Sequence, residues 1–128
     1  MPSFGTNSKR HLETCHEDIQ KVLNEAINHY DFSVIWGHRG MEAQNKAYLE
    51  GNSNLEWPKS KHNSNPSMAV DIIPYPGGFA RSNEEFTIMA THIFRAASVC
   101  GVPNLIWGGH WRTFKDLAHF ELRPSDDL

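Results

Sequence analysis

Ala69-Val70-Asp71-Ile72-Ile73, closed by Pro74-Tyr75-Pro76-Gly77-Gly78, is the stretch on which the reading of the fold turns. A short apolar, β-branched run ended by Pro and Gly predicts a buried strand. Asp71 lies in its middle, between Val70 and Ile72. A carboxylate there is expensive to bury unless it is paired, hydrogen-bonded or bound to a cation. Read alone, it is either an acceptor for a loop amide or one member of a cation site.

Outward from this strand, residues 52–68 are rich in Ser, Asn and Pro, too long for an ordinary connection and of loop composition. This loop carries His62, nine residues before Asp71 and able to fold back over the strand end. Phe32-Ser33-Val34-Ile35-Trp36 predicts a second strand, delivering Gly37-His38-Arg39-Gly40 to a loop. Apolar positions from Leu12 to Tyr30 recur at three- and four-residue steps, which predicts one helix from about Ser8 to His29. A further helix is expected over Met41 to Glu50, with Gly51 at its C-terminal end. Ser82 and Glu85 form a capping box opening another, with Phe86, Met89, Ala90, Ile93, Ala97 and Cys100 on its apolar face and Gly101 closing it. Short strands over Asn104 to Trp107 and Ala118 to Leu122 complete an α+β chain with a small, mainly antiparallel sheet packed with helices.

With 128 residues, 1–128 is expected to be a single domain. No basic stripe accompanies the formal charge of -3, so no nucleic-acid partner is expected. No membrane span or signal segment is read, and no stable membrane association is expected of a soluble, cytosolic product. Cys15 and Cys100 are read as reduced, small hydrophobes.

Two histidines and one aspartate make a complete donor set for a catalytic zinc with an open fourth position, so His62, Asp71 and His119 are the candidate metal ligands. The helical H-E-x-x-H arrangement is absent, since His16-Glu17 is followed by Gln20. Such a hydrolase also needs a carboxylate that does not bind the metal, and Asp116, three residues before His119, is the candidate. Glu121 is expected to point away from His119 by strand alternation and is not taken as the base. Tyr75, Trp107 and Trp111 are read as either groove or core.

Ser60-Lys61-His62, Ser67-Met68-Ala69-Val70-Asp71-Ile72 and Asp116-Leu117-Ala118-His119-Phe120-Glu121-Leu122, in this order, resemble the three metal-site segments of the VanY-like D-alanyl-D-alanine carboxypeptidase family. The resemblance runs from about Phe32 to Leu122 and is closest to the phage endolysin branch, the L-alanyl-D-glutamate endopeptidases. It implies a fold of the hedgehog and D-Ala-D-Ala peptidase type, and Zn2+ held by His62, Asp71 and His119. It also implies Asp116 as general base, Arg39 as the catalytic and substrate-binding arginine at the scissile carbonyl, and Ser60 as a substrate-contacting serine. Gln44 matches a family position and is read as support behind the site. Two departures stand out: Ser67 where the broad family has glycine, within a longer loop shared by phage members, and Trp107-Gly108-Gly109-His110-Trp111, where the family usually has Asp in place of His110. His110 is read as structural.

The resemblance further implies bacterial peptidoglycan as substrate and a monomeric enzyme with no separate cell-wall-binding domain. Made in the host cytoplasm, it would reach the wall once a holin-type membrane protein permeabilises the membrane. Two alternatives stay open: a D-alanyl-D-alanine carboxypeptidase, and a non-catalytic zinc-stabilised binding module. The second has no use for Asp116 and Arg39.

Overall fold

Alternation along Ala69–Pro74 (β2) sorts its side chains onto two unlike faces. Val70 and Ile72 point into a core from which they expose nothing, while Asp71 points the other way. The same division holds for Phe32–Trp36 (β1), which contributes Phe32 and Val34 to the core, and for His119–Leu122 (β4), which contributes Phe120 and Leu122. Leu105–Trp107 (β3) adds Leu105 and Trp107. The computed structural model describes residues 2–124 and joins these strands as one antiparallel sheet in the order β1-β2-β4-β3. This is the α+β architecture the sequence predicts.

Two helices cover the apolar face. Glu17–Ala26 (α2) buries Ile19, Val22, Leu23 and Ala26, and Asn83–Cys100 (α4) buries Phe86, Met89, Ala90, Ile93, Ala96 and Ala97. Ser82 caps α4 by accepting from Glu85 N at 3.1 Å, and Gly101 closes it at φ +70°. The reciprocal half of the expected capping box is missing, because the Glu85 carboxylate accepts from Tyr30 and pairs with Arg81. Met41–Leu49 (α3) follows β1 on the other side of the loop at Gly37 to Gly40.

The single helix expected over 8–29 is two. Thr6–Leu12 (α1) ends before Cys15, and α2 starts at Glu17 with the His16 ring accepting from Asp18 N at 3.0 Å. The break has a physical cause. Residues 14–16 leave helical geometry to pair with Ser67, which donates its N–H to Thr14 O at 2.9 Å and accepts at its own O from His16 N at 2.8 Å. The apolar periodicity survives because Leu12, Cys15 and Ile19 still face the core. This strap holds the N-terminal segment against the start of β2. Cys15 and Cys100 are both free thiols, and burial pushes Cys15 up to about 12.

Two registers position the site. Asp71 of β2 pairs directly with His119 of β4, and on its other side with Trp36, where a bulge between Val34 and Trp36 interrupts β1. A bulge re-aims the chain that follows it, here Gly37 to Arg39. Gly37 then passes so close to the break after α1 that an added Cβ would stand 2.3 Å from His11 O and from Thr14 Oγ1. No helix among the described residues is long and apolar enough to cross a membrane.

Gly37→Ala therefore forces backbone apart, and overpacking of this kind costs about 1–3 kcal/mol. Chemical denaturation should show that loss, whereas Gly5→Ala, whose Cβ meets nothing within 4 Å, should unfold close to the parent.

Candidate active site

Asp71, His62 and His119 converge from three segments: the middle of β2, the 3-10 turn Lys61–Asn63 and the start of β4. Asp71 Oδ1 lies 3.2 Å from His62 Nε2 and 3.2 Å from His119 Nδ1, and the two nitrogens are 3.3 Å apart. The outer atoms of the rings are spoken for. His62 Nδ1 donates to Gly37 O at 2.8 Å, and His119 Nε2 donates to Glu121 Oε1 at 2.7 Å. Those bonds set the tautomers, so His62 Nε2 and His119 Nδ1 present lone pairs toward the carboxylate.

Three electron-rich donors facing one another are stable only around a positive charge. The protein without metal supplies it as a proton. Burial alone would lower His119, but hydrogen bonding to Asp71 and Glu121 overrides it and raises His119 to about 9. Burial would likewise raise Asp71, yet His62 and His119 outweigh it and hold the carboxyl far below the usual range. A metal ion fits the same place. Donors about 2.0–2.1 Å from a tetrahedral zinc are separated by roughly 3.3 Å, and the observed triangle has edges of 3.2, 3.2 and 3.3 Å. His62, Asp71 and His119 thus form a group able to hold a metal.

The second oxygen of Asp71 is held by Arg39, whose Nη2 donates to Oδ2 at 3.1 Å. Arg39 is buried, its guanidinium 4.9 Å from the Trp36 ring centroid, and its Nη1 donates to Gln44 Oε1 at 3.1 Å. Among the described residues its Nε has no partner. Gln44 is fully buried and uses its whole amide: Oε1 also accepts from Asn63 Nδ2, while Nε2 donates to Ser53 Oγ and Leu55 O. It thereby ties α3, Arg39 and the 52–68 loop together. Ser60 caps the 3-10 turn by accepting from His62 N at 3.2 Å, so its hydroxyl sets the backbone that carries the histidine while also lining the cleft.

A cavity of about 180 Å³ opens over the donors, with Ser60, Arg39, Trp111, Phe114, Asp116 and Glu121 on its walls. Asp116 lies on the loop entering β4, where His119 N donates to Asp116 O at 3.2 Å. Burial, and next the charge of Asp71, raise its pKa. Trp111 packs on His119 with centroids 5.0 Å apart, which makes it a cleft residue. Trp107 is core, and Tyr75 is exposed and outside this cavity. His110 is exposed and stacks on Phe94, with Trp107 edge-on, away from the donors.

One expectation fails. Glu121 does not point away from His119: residues two apart on a strand share a face, and the Glu121 carboxylate grips the ring. The spacing alone carried that signal. Gly37 O and Asn63 were also missed. A backbone acceptor has no sequence signature, and Asn63, which donates to Arg39 O at 2.8 Å, reads locally as loop chemistry.

Convergent donors at the floor of an open cleft, with a carboxylate of raised pKa beside them, are the equipment of a hydrolase. Comparison with known proteins makes the class specific. The model of the phage L-alanyl-D-glutamate peptidase family matches residues 2–123, and the chain belongs to that family. The L-alanyl-D-glutamate peptidase of Escherichia phage T5 is 31% identical over 125 residues, covering 94% of this chain and 88% of that protein. The crystal structure of the Serratia marcescens L-Ala D-Glu endopeptidase ChiX is similar with a TM-score of 0.80 and 30% identity, over 98% of this chain and 93% of that one.

Glu121→Gln keeps the shape but weakens the grip on His119. Losses of this kind lower metal affinity roughly 10- to 100-fold, to be read by chelator competition against unchanged circular dichroism. Asp116→Asn should stabilise the metal-free protein at neutral pH. An acid whose folded pKa is raised destabilises the fold above that pKa, where it is charged, and the effect vanishes once pH falls below its unfolded value near 3.9. Thermal melts of both proteins in chelator should diverge at pH 7 and merge at low pH.

Proposed function

We propose that the chain is a zinc-dependent endopeptidase that hydrolyses the L-alanyl-D-glutamate bond of peptidoglycan stem peptides, with residues 1–128 acting as one catalytic domain. The observation that carries this reading is the donor triangle of His62, Asp71 and His119 in a cleft shared with Asp116, within a chain of the phage L-alanyl-D-glutamate peptidase family. Two nitrogens and one carboxylate oxygen suit zinc, the borderline cation most often met in such sites. When bound, zinc would polarise the scissile carbonyl and make a nucleophile of water near neutral pH.

The remaining work belongs to side chains. Asp116 takes the proton of the attacking water and returns it to the leaving amine of D-glutamate, and its raised pKa suits both transfers. Arg39 holds Asp71 in place, and its remaining N–H groups are the donors for charge developing on the carbonyl oxygen. Ser60 and Trp111 line the cavity on which the peptide rests. The protein works as a monomer and reaches the wall from the host cytoplasm with the help of a holin-type, membrane-permeabilising protein, as an endolysin does.

Chelation should abolish release of peptide from purified wall, and zinc should restore it; full activity in rigorously metal-free protein refutes the metal reading. Asp116→Asn should retain zinc and lose on the order of 100- to 10,000-fold in turnover. Mass spectrometry of the digest should find new D-glutamate amino termini and no free D-alanine. Release of D-alanine would establish the carboxypeptidase instead.

A further inference from the structure

The cleft does not end at Asp116. A second groove, of about 670 Å³, shares Arg39, Asn52, Asp71, Phe114 and Asp116 with the first and continues between α3 and the loop before β4. Trp36 and Phe79 give it aromatic surface, and Ala43 and Ala47, one turn apart on α3, leave it room. Phe114, on the ridge common to both cavities, adopts φ +45°, a left-handed conformation that bulky side chains rarely take. Strain of this kind persists where surrounding structure holds it, often at ligand sites.

The groove also holds Lys46 and Lys115. Among the described residues the Lys and Arg ion pairs are Lys21–Asp18, Arg39–Asp71, Arg81–Glu85 and Arg95–Glu25, so neither ammonium is paired. Lys115 Nζ makes one long bond, to Gly109 O at 3.3 Å. Glu50 stands one turn after Lys46 on the α3 wall. Lys115, next to Asp116 in the chain, has no acidic neighbour of that kind on its own wall except Asp116 itself.

The chemistry of the reaction selects what enters this groove. Asp116 must reach the leaving nitrogen, so the D-glutamate half of the substrate lies on its side of the cleft. The stem peptide continues from the γ-carboxyl of D-glutamate, which leaves the α-carboxylate free, two bonds from that nitrogen. That anion arrives beside Asp116 and Asp71. Asp71 is already neutralised by Arg39 and the histidines, whereas Asp116, which lines the same groove, pairs with no Lys or Arg among the described residues. A third carboxylate there is repelled unless a cation answers it.

We propose that the Lys115 groove, with Lys46 on its opposite wall, is the subsite for the free α-carboxylate of D-glutamate and makes the enzyme discriminate against walls in which that group is amidated to D-isoglutamine. The inference rests on the bond assignment above and adds a specificity that the assignment does not require.

Two synthetic stem peptides test it, identical except for a carboxylate or a carboxamide at the α-position of the second residue. The parent should cleave the carboxylate about five- to tenfold more efficiently by kcat/KM, the size expected of a partly exposed charge-assisted contact. The preference should reside in KM and shrink as salt is raised. Lys115→Met should bring the ratio toward one, Lys46→Met should reduce it less, and Lys21→Met, remote on α2, should keep it. Equal cleavage of both peptides by the parent overturns the subsite, as does an unaltered ratio in Lys115→Met or collapse of the preference in Lys59→Met at the other mouth. Failure to cut either peptide at the L-alanyl bond, with cleavage elsewhere in the stem, overturns the bond assignment instead, so the two outcomes are told apart by the product masses.

Discussion

A carboxylate taken out of water costs several kcal/mol unless partners surround it, and Asp71, 8% exposed in the central part of the sheet, is the group around which the molecule is arranged. Three segments meet on it. Oδ2 receives Arg39 from the loop after β1, and Oδ1 faces His62 from the 3-10 turn and His119 from β4. Removing any one partner leaves a buried charge under-compensated, so the donor geometry and the local fold are a single constraint. Gln44 extends that constraint outward by gripping Arg39 on one side and the 52–68 loop on the other.

The two-faced sheet allows a polar cluster of this density in a small chain. Strand alternation gives the apolar face of β2 and β4 to the core under α2 and α4, and gives Asp71, His119 and Glu121 to the opposite face. Direct pairing of Asp71 with His119 places two donors without any loop having to find them. Sites built on paired strands hold their geometry more tightly than sites built on loops alone. The third donor does sit on a loop, and there the structure spends extra bonds: the Ser60 cap, the Asn63 side chain and the Gly37 carbonyl all fix the His62 turn.

Local patterns were legible in proportion to how local their causes are. The strand around Asp71, the Gly51 and Gly101 helix ends and the Ser82 cap follow from chain-neighbour sterics, and the structure contains them. The break between α1 and α2 was illegible because Leu12, Cys15 and Ile19 keep a helical spacing, while the cause of the break is Ser67, far along the chain. Half of the capping box failed for the same reason, Glu85 being drawn to Tyr30. At the site, residue types and the family resemblance named the donors, and the structure brings those residues together. The partners of the donors were harder: Gly37 acts through its backbone, and Glu121 was misassigned although a two-residue step on a strand places it beside His119.

The segment from Trp107 to Trp111 sets two unlike constraints side by side. His110 turns outward onto Phe94, so its ring answers to packing and not to the donors. Gly108 has no such freedom. A Cβ there would stand 2.4 Å from Asp116 O, 3.1 Å from Asp116 Cβ and 3.2 Å from His119 Cβ. Gly108 O also accepts from Asp116 N at 3.1 Å. The glycine thus lets the loop pass close against Asp116, whose carboxyl pKa is raised by burial and next by the charge of Asp71. A group placed where its charge is disfavoured releases and accepts protons nearer to neutral pH. In this chain the close pass beside Asp116 is one that only glycine permits, two residues from a histidine whose ring packs on Phe94 and faces away from the donors.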